Sequence, residues 1–193
     1  MDPLYLFVFF GLVSPGPNVI LLTASGARFG FRATLPHVAG VALGVGIIAG
    51  LAGLGVGALL AEWPVVRGAL GLAAAGWIVY MAARLWRSEP AGAARADDAR
   101  PWGVTQAILF QWVNPKVWAI AMAAASGYGA GLTPLDEAQR LAIAFSALNL
   151  LVCLFWSYAG SLLALLLSNA GAWRIFARVM ATGLGASAVM VFL

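Results

Sequence analysis

Two short motifs carry most of the residue types that could do chemistry in an otherwise apolar chain: Ser14-Pro15-Gly16-Pro17-Asn18 and Asn114-Pro115-Lys116. Each interrupts a long hydrophobic run. Proline has no backbone N–H, so Pro15 and Pro17 cannot donate to the carbonyls of Gly11 and Val13, and Pro115 cannot donate to that of Gln111. The half-helix before such a break ends on free carbonyls, and the one after it starts on free N–H groups at the positive end of its dipole. That pairing suits a small zwitterion. Its carboxylate would lie against the helix start near Asn18 or Lys116, and its ammonium against the carbonyls of Gly11, Val13 or Gln111. The competing reading is a pair of kinked spans healed by water, by Ser14 or Thr23, or by a neighbouring helix.

Counted from Trp102, Lys116 lies about 21 Å along its apolar run, where an ionised side chain is costly unless paired or wetted. Asp2 and Glu62 sit at run ends, and Glu89, Asp97, Asp98, Asp136 and Glu137 in loops, so no carboxylate is placed to pair with it. A bound anion would supply the charge. The alternative is a stem that snorkels to the interface. His37 is the one group that titrates near neutral pH unshifted, which makes it the candidate for a coupling proton. Its place near a span end equally fits a solvated interfacial histidine. In the fifth run Asn149 is a candidate binding residue, whereas Ser146, Ser157 and Ser161 are expected to hydrogen-bond between helices. The lone Cys153 excludes an intramolecular disulfide or a Cys-x-x-Cys relay. With no metal-ligand cluster and no nucleophile–base pair, neither an enzyme nor a cofactor is expected.

The elements that must position these residues follow from composition. Of 193 residues 63% are hydrophobic and 9% charged, with mean hydropathy +0.93; soluble domains carry about 25% charged residues. The expectation is an all-α, polytopic membrane helix bundle embedded in a lipid bilayer, with six transmembrane helices. The apolar runs fall at about 4–26, 36–61, 65–83, 102–125, 141–167 and 175–193, with ends uncertain by about 2–4 residues. The last is short enough that it must borrow from Trp173 onward, and five spans with a re-entrant tail compete with six. Met1-Asp2-Pro3 lacks the positive start of a cleaved signal, so the first run is expected to stay as a span.

Net charge +4 and a pI near 9.8 do not point to nucleic acid, because the cations are scattered between apolar runs, where they set topology. With six spans and the N-terminus outside, inner loops hold Arg28, Arg32, Arg84, Arg87, Arg95, Arg100, Arg174 and Arg178, and outer loops only Arg67 and Arg140. Both termini are therefore predicted outside the cytoplasm of a bacterial inner membrane. Trp63, Trp86, Trp102 and Trp173 fall near span ends, as an interfacial belt would. Gly46, Gly50, Gly53 and Gly57 form one helix stripe that allows close packing, within the chain or in a homodimer.

The polar segment 88–100 divides a single transmembrane domain, residues 1–193, into three-helix repeats at 1–87 and 101–193. An odd number of spans per repeat inverts the second relative to the first. Matching interruptions in two inverted repeats are a pointer to a transporter binding site.

On these residues the chain resembles the LysE/RhtB family of amino-acid exporters. Ser14 to Asn18 match the family's opening motif. Gly26 to Gly30, Gly40 and Gly44, Gly76-Trp77-Ile78-Val79-Tyr80 and Asn114-Pro115-Lys116 extend the likeness along most of the length. The resemblance implies a six-span exporter of amino acids or close derivatives, usually driven by the proton gradient, with substrate held near the two breaks. Val45 stands where some members carry an acid, and Gln111 and Trp112 stand near a common glycine, which implies a site narrowed by Trp112. The substrate-binding set is thus Ser14, Pro15, Gly16, Pro17, Asn18, Gln111, Asn114, Pro115, Lys116 and Asn149, acting by alternating access on an amino acid or similar zwitterion. The alternative is a passive channel or a carrier for another small ion.

Overall fold

The computed structural model describes residues 2–56, 62–89, 100–164, 166–167 and 169–191. Among these, all regular structure is helical: α1 Pro3–Val13, α2 Pro17–Phe29, α3 Phe31–Gly53, α4 Pro64–Trp86, α5 Val104–Trp112, α6 Pro115–Gly127, α7 Pro134–Leu163 and α8 Ala170–Ser187, with a closing 3-10 turn at Ala188–Val191. By length and composition α3 and α7 can each cross a membrane, and α1 with α2, bent by 56° at their break, makes a third candidate.

Local chemistry sets the element ends. Five helices, α1, α2, α4, α6 and α7, start on a proline, whose fixed φ and missing N–H suit a first turn. Asp2 caps α1 by accepting from Leu4 N at 2.9 Å, and Asn169 caps α8 by accepting from Ala172 N at 2.7 Å. A single residue, Gly30 at φ +83°, joins α2 to α3. That backbone region costs a residue with a Cβ and suits glycine.

Several expected boundaries move. The second run was expected to open at Pro36, but α3 begins at Phe31 and keeps Pro36 inside, where one hydrogen bond is forfeited without ending the helix. The fifth starts at Pro134, not 141, because Thr133 accepts from Asp136 N and caps it. The final run gains most. With its cap at Asn169, α8 and its 3-10 extension reach from Ala170 to Val191, about 35 Å at the usual rises, so the shortfall expected from the sequence disappears. Trp173 does not face outward from the bundle: it is 1% exposed and donates from its indole to Ser88 O at 2.9 Å. Residues 90–99 of the expected linker, and Gly57 of the glycine stripe, lie outside the described residues.

Packing centres on α7, against which α1, α2 and α3 all lie. Small residues bring the backbones together. A Cβ on Gly53 would lie 2.8 Å from Ala138 Cα, and one on Gly50 would be in ordinary contact with Ala142. Gly26 faces the Ser157 carbonyl and Gly160 faces the Thr23 carbonyl, so α2 and α7 each supply a glycine to the other's backbone. Gly40 and Gly44 open α3 to α5 in the same way. Leu4, Val8, Leu12, Val41, Val45, Ile48, Phe145 and Val152 fill the core between these helices. α4 and α8 pack on each other at the side of this group. At one end Arg140 gathers three segments. Its guanidinium donates to Asp2 Oδ2 at 2.7 Å, Glu137 Oε1 at 2.9 Å and Tyr128 O at 3.0 Å.

Candidate substrate site

The first break is healed from within its own motif. Ser14 Oγ donates to the Gly11 carbonyl at 2.9 Å, replacing the partner that Pro15 cannot supply. Thr23, the other residue expected to help, bonds back to Val19 O in its own helix instead. The second break also closes on itself. Asn114 N takes the Gln111 carbonyl at 3.2 Å, and the Trp118 indole takes that of Trp112 at 3.1 Å. Two of the three carbonyls expected to receive an ammonium, those of Gly11 and Gln111, are therefore already occupied.

The breaks meet face to face. Asn18 Nδ2 donates to Gln111 Oε1 at 2.9 Å, and Gln111 Nε2 donates back to Asn18 Oδ1 at 3.1 Å and to Ala107 O at 2.9 Å. Asn114 Nδ2 adds a longer bond to Gln111 Oε1, 3.3 Å. Lys116 reaches across the gap in the other direction. Its ammonium donates to the Ser14 carbonyl in a close contact, to Ser14 Oγ at 2.9 Å and to the Pro15 carbonyl at 3.5 Å. It does not snorkel.

Between these links lies a small cavity lined by Leu12, Gly16, Asn18, Val19, Asn114, Lys116, Val117 and Asn149. It encloses about 10 Å³, near the least volume that holds one water. Two polar atoms in its lining residues lack a hydrogen-bond partner among the described residues: Asn114 Oδ1, an acceptor, and Asn149 Nδ2, a donor. Both residues are almost wholly buried, at 1% and 2% exposure, and such orphans are costly unless something binds there. Asn149 is the sixteenth residue of the thirty in α7, so the cavity lies about midway along the bundle's longest helix.

Of the residues singled out from the sequence, Gly16, Asn18, Asn114, Lys116 and Asn149 line this cavity together. Ser14 and Pro15 hold the lysine, Pro17 and Pro115 start the second half-helices, and Gln111 stands behind Asn18 as a brace. Trp112 is about half exposed and outside the lining, so it does not narrow the site. The sequence reading missed Leu12, Val19 and Val117. Their signal was available only as proximity, since each lies within a turn of a break.

His37 is a second correction. Far from being solvated, it is 3% exposed, lies 5.2 Å from the Trp102 ring and finds no partner for either ring nitrogen among the described residues. Gly40, one turn on, brings α5 so close that the ring is covered.

This geometry spans nearly the region over which a known family is matched: the profile of the LysE type translocators covers residues 9–193. The chain belongs to that family. No curated protein and no solved structure matches it. LysE type translocators are membrane transport proteins, so the apolar helices of this translocator are read as bilayer spans. Both breaks and Asn149 fall inside the matched region. Asp2, whose bond to Arg140 ties the first helix to α7, precedes it.

Proposed function

We propose that this translocator exports amino acids or close derivatives from the cytoplasm, binding them at the meeting point of its two proline-broken helices. The observation that carries the reading is the cavity midway along α7. There, among the described residues, one buried side chain offers an unused acceptor, another an unused donor, and Lys116 a cation. A zwitterion complements all three. The volume now enclosed admits no amino acid, so binding requires the breaks to part, as an occluded stage of alternating access would.

The order of elements supports two inverted repeats in six spans. Each half runs broken helix, long helix, third helix: α1/α2, α3, α4, then α5/α6, α7, α8. The bond from Trp173 to Ser88 holds the end of α4 beside the start of α8, so the α4 end that carries Arg84 and Arg87 and the α8 start that carries Arg174 share one side, which supports the charge count that leaves both termini outside the cytoplasm of an inner membrane. A coupling role for His37 would have to act through the α3–α5 packing, because the ring does not line the cavity.

Counterflow in proteoliposomes tests the function. Vesicles loaded with one unlabelled amino acid from a broad panel should accumulate the same labelled amino acid only when the protein is present. Failure across the panel, or unitary currents in place of exchange, would overturn export in favour of another solute or a channel.

A further inference from the structure

Lys116 is the sole lysine of the chain, and its ammonium is bound in a way the sequence did not anticipate. Among the described residues its acceptors come from the first break: the Ser14 carbonyl, Ser14 Oγ at 2.9 Å and the Pro15 carbonyl at 3.5 Å. A primary ammonium carries three N–H groups, and three oxygens receive it here. The two carbonyls stand at the negative end of α1, where a cation is favoured. Among the described residues no carboxylate takes part. On α1 the nearest acid is the capping Asp2, at the far end of that helix; on α7 it is Glu137, three turns from Asn149; α6 carries none. Ser14 and Pro15 are exposed, so the protein itself does not wall these oxygens off. A Cβ on Gly16 would lie 2.7 Å from Lys116 Cδ, so the glycine leaves passage for the lysine stem.

We propose that the Ser14–Pro15 oxygens form a primary-ammonium subsite that Lys116 fills as a tethered stand-in until the substrate's own ammonium replaces it. The inference rests on the reading of the breaks as the substrate site and deepens it. A zwitterion brings one charge of each sign. As its ammonium takes the carbonyls, the released lysine is left beside its carboxylate, and the site exchanges partners without changing net charge. The subsite selects primary ammonium ions over quaternary ones, which have no N–H to give.

Because Lys116 is the only side-chain amine, the rate at which a small acylating reagent modifies it can be read by mass spectrometry on the purified, full-length protein. Ethylammonium chloride should raise that rate about threefold or more, with saturation, by shifting the lysine to its displaced state. Tetramethylammonium chloride at the same ionic strength should leave it unchanged. Equal responses to the two salts would overturn the proposal. In a second arm Lys116→Ala empties the cradle, and ethylammonium should then raise Tm by about 3 °C at ten times its dissociation constant. If that variant does not fold, the labelling of the wild-type protein decides alone. Neither arm uses an amino acid, so a failed counterflow panel and a failed cradle are separate results.

Discussion

Asn18 and Gln111 exchange two hydrogen bonds, at 2.9 and 3.1 Å, across the gap between the two proline breaks. The amides come from positions 93 residues apart and stand back to back with the cavity. Whatever opens the site must part them or carry them together.

Removing one partner should therefore be felt. Gln111→Ala is expected to lower stability in detergent by about 1 kcal/mol, within the range for side-chain bonds between membrane helices. Asn18→Ala should cost less once Gln111 is gone, because the pair acts as a unit. Thermal unfolding of both single variants and the double variant gives the coupling; strictly additive losses would deny it.

The glycines make a sharper contrast. Gly26 and Gly160 each face backbone of the opposite helix, which cannot swing aside, whereas nothing lies within 4 Å of a Cβ added at Gly76. Gly26→Ala should destabilise by about 1–3 kcal/mol through overpacking. Gly76→Ala should be neutral or stabilise by up to about 1 kcal/mol through helix propensity. Similar melting temperatures for the two variants would argue against the close α2–α7 contact.

The Leu4 N–H and the Arg140 guanidinium hold the Asp2 carboxyl below its usual range. A depressed carboxylate stabilises the fold above its unfolded pKa, roughly 3.9, and loses that contribution as pH falls through the lower folded value. Asp2→Asn can still cap α1 but cannot pair with Arg140. Its Tm should fall below wild type at pH 7, and the two should converge below about pH 4. A gap that persists in acid would place the effect elsewhere.

For His37, buried with neither ring nitrogen partnered among the described residues, the expected result of substitution by phenylalanine is equal or greater stability, since an apolar ring leaves no orphaned polar atom. The pH profile of transport should survive. A profile flattened by His37→Phe would instead make this residue the proton carrier.

Lys116→Met keeps the length of the stem and removes the charge. Loss of a charge-assisted contact of about 1.5–3 kcal/mol corresponds to a roughly 10- to 100-fold weaker apparent affinity in counterflow. Lys116→Arg should restore part of it, because a guanidinium keeps the charge and pairs with a carboxylate, although its planar fork does not fit oxygens gathered round one nitrogen in the resting state. Unaltered exchange by Lys116→Met would remove the lysine from the site.

Much of this was legible in the residues. Composition gave the helical membrane class, and prolines marked both breaks, since a missing N–H is a local property readable without the fold. That Asn18, Asn114 and Lys116 meet was expected from the matching positions of the breaks, whereas Asn149, in an unbroken helix, was a candidate from its polarity alone. The partners were not legible. Lys116 was assigned to an anion because no acid stood near it, yet the Ser14 and Pro15 carbonyls, in the non-helical link between α1 and α2, serve a cation as well. His37 was misjudged for a related reason: its burial depends on Gly40 admitting α5, a contact between segments some 65 residues apart that periodicity cannot reveal.

The interleaving of α2 and α3 with α7 has a further consequence for how the protein is made. The glycine faces of the early helices have their main partner in a segment synthesised about a hundred residues later, so they enter the bilayer bare and must wait. Neither half offers the other a finished surface, and the motion that parts the breaks has to leave the glycine contacts of α2 and α3 with α7 in place. A ribosome that stalls before α7 leaves a product with exposed small-residue seams, a form that membrane quality control could recognise and degrade.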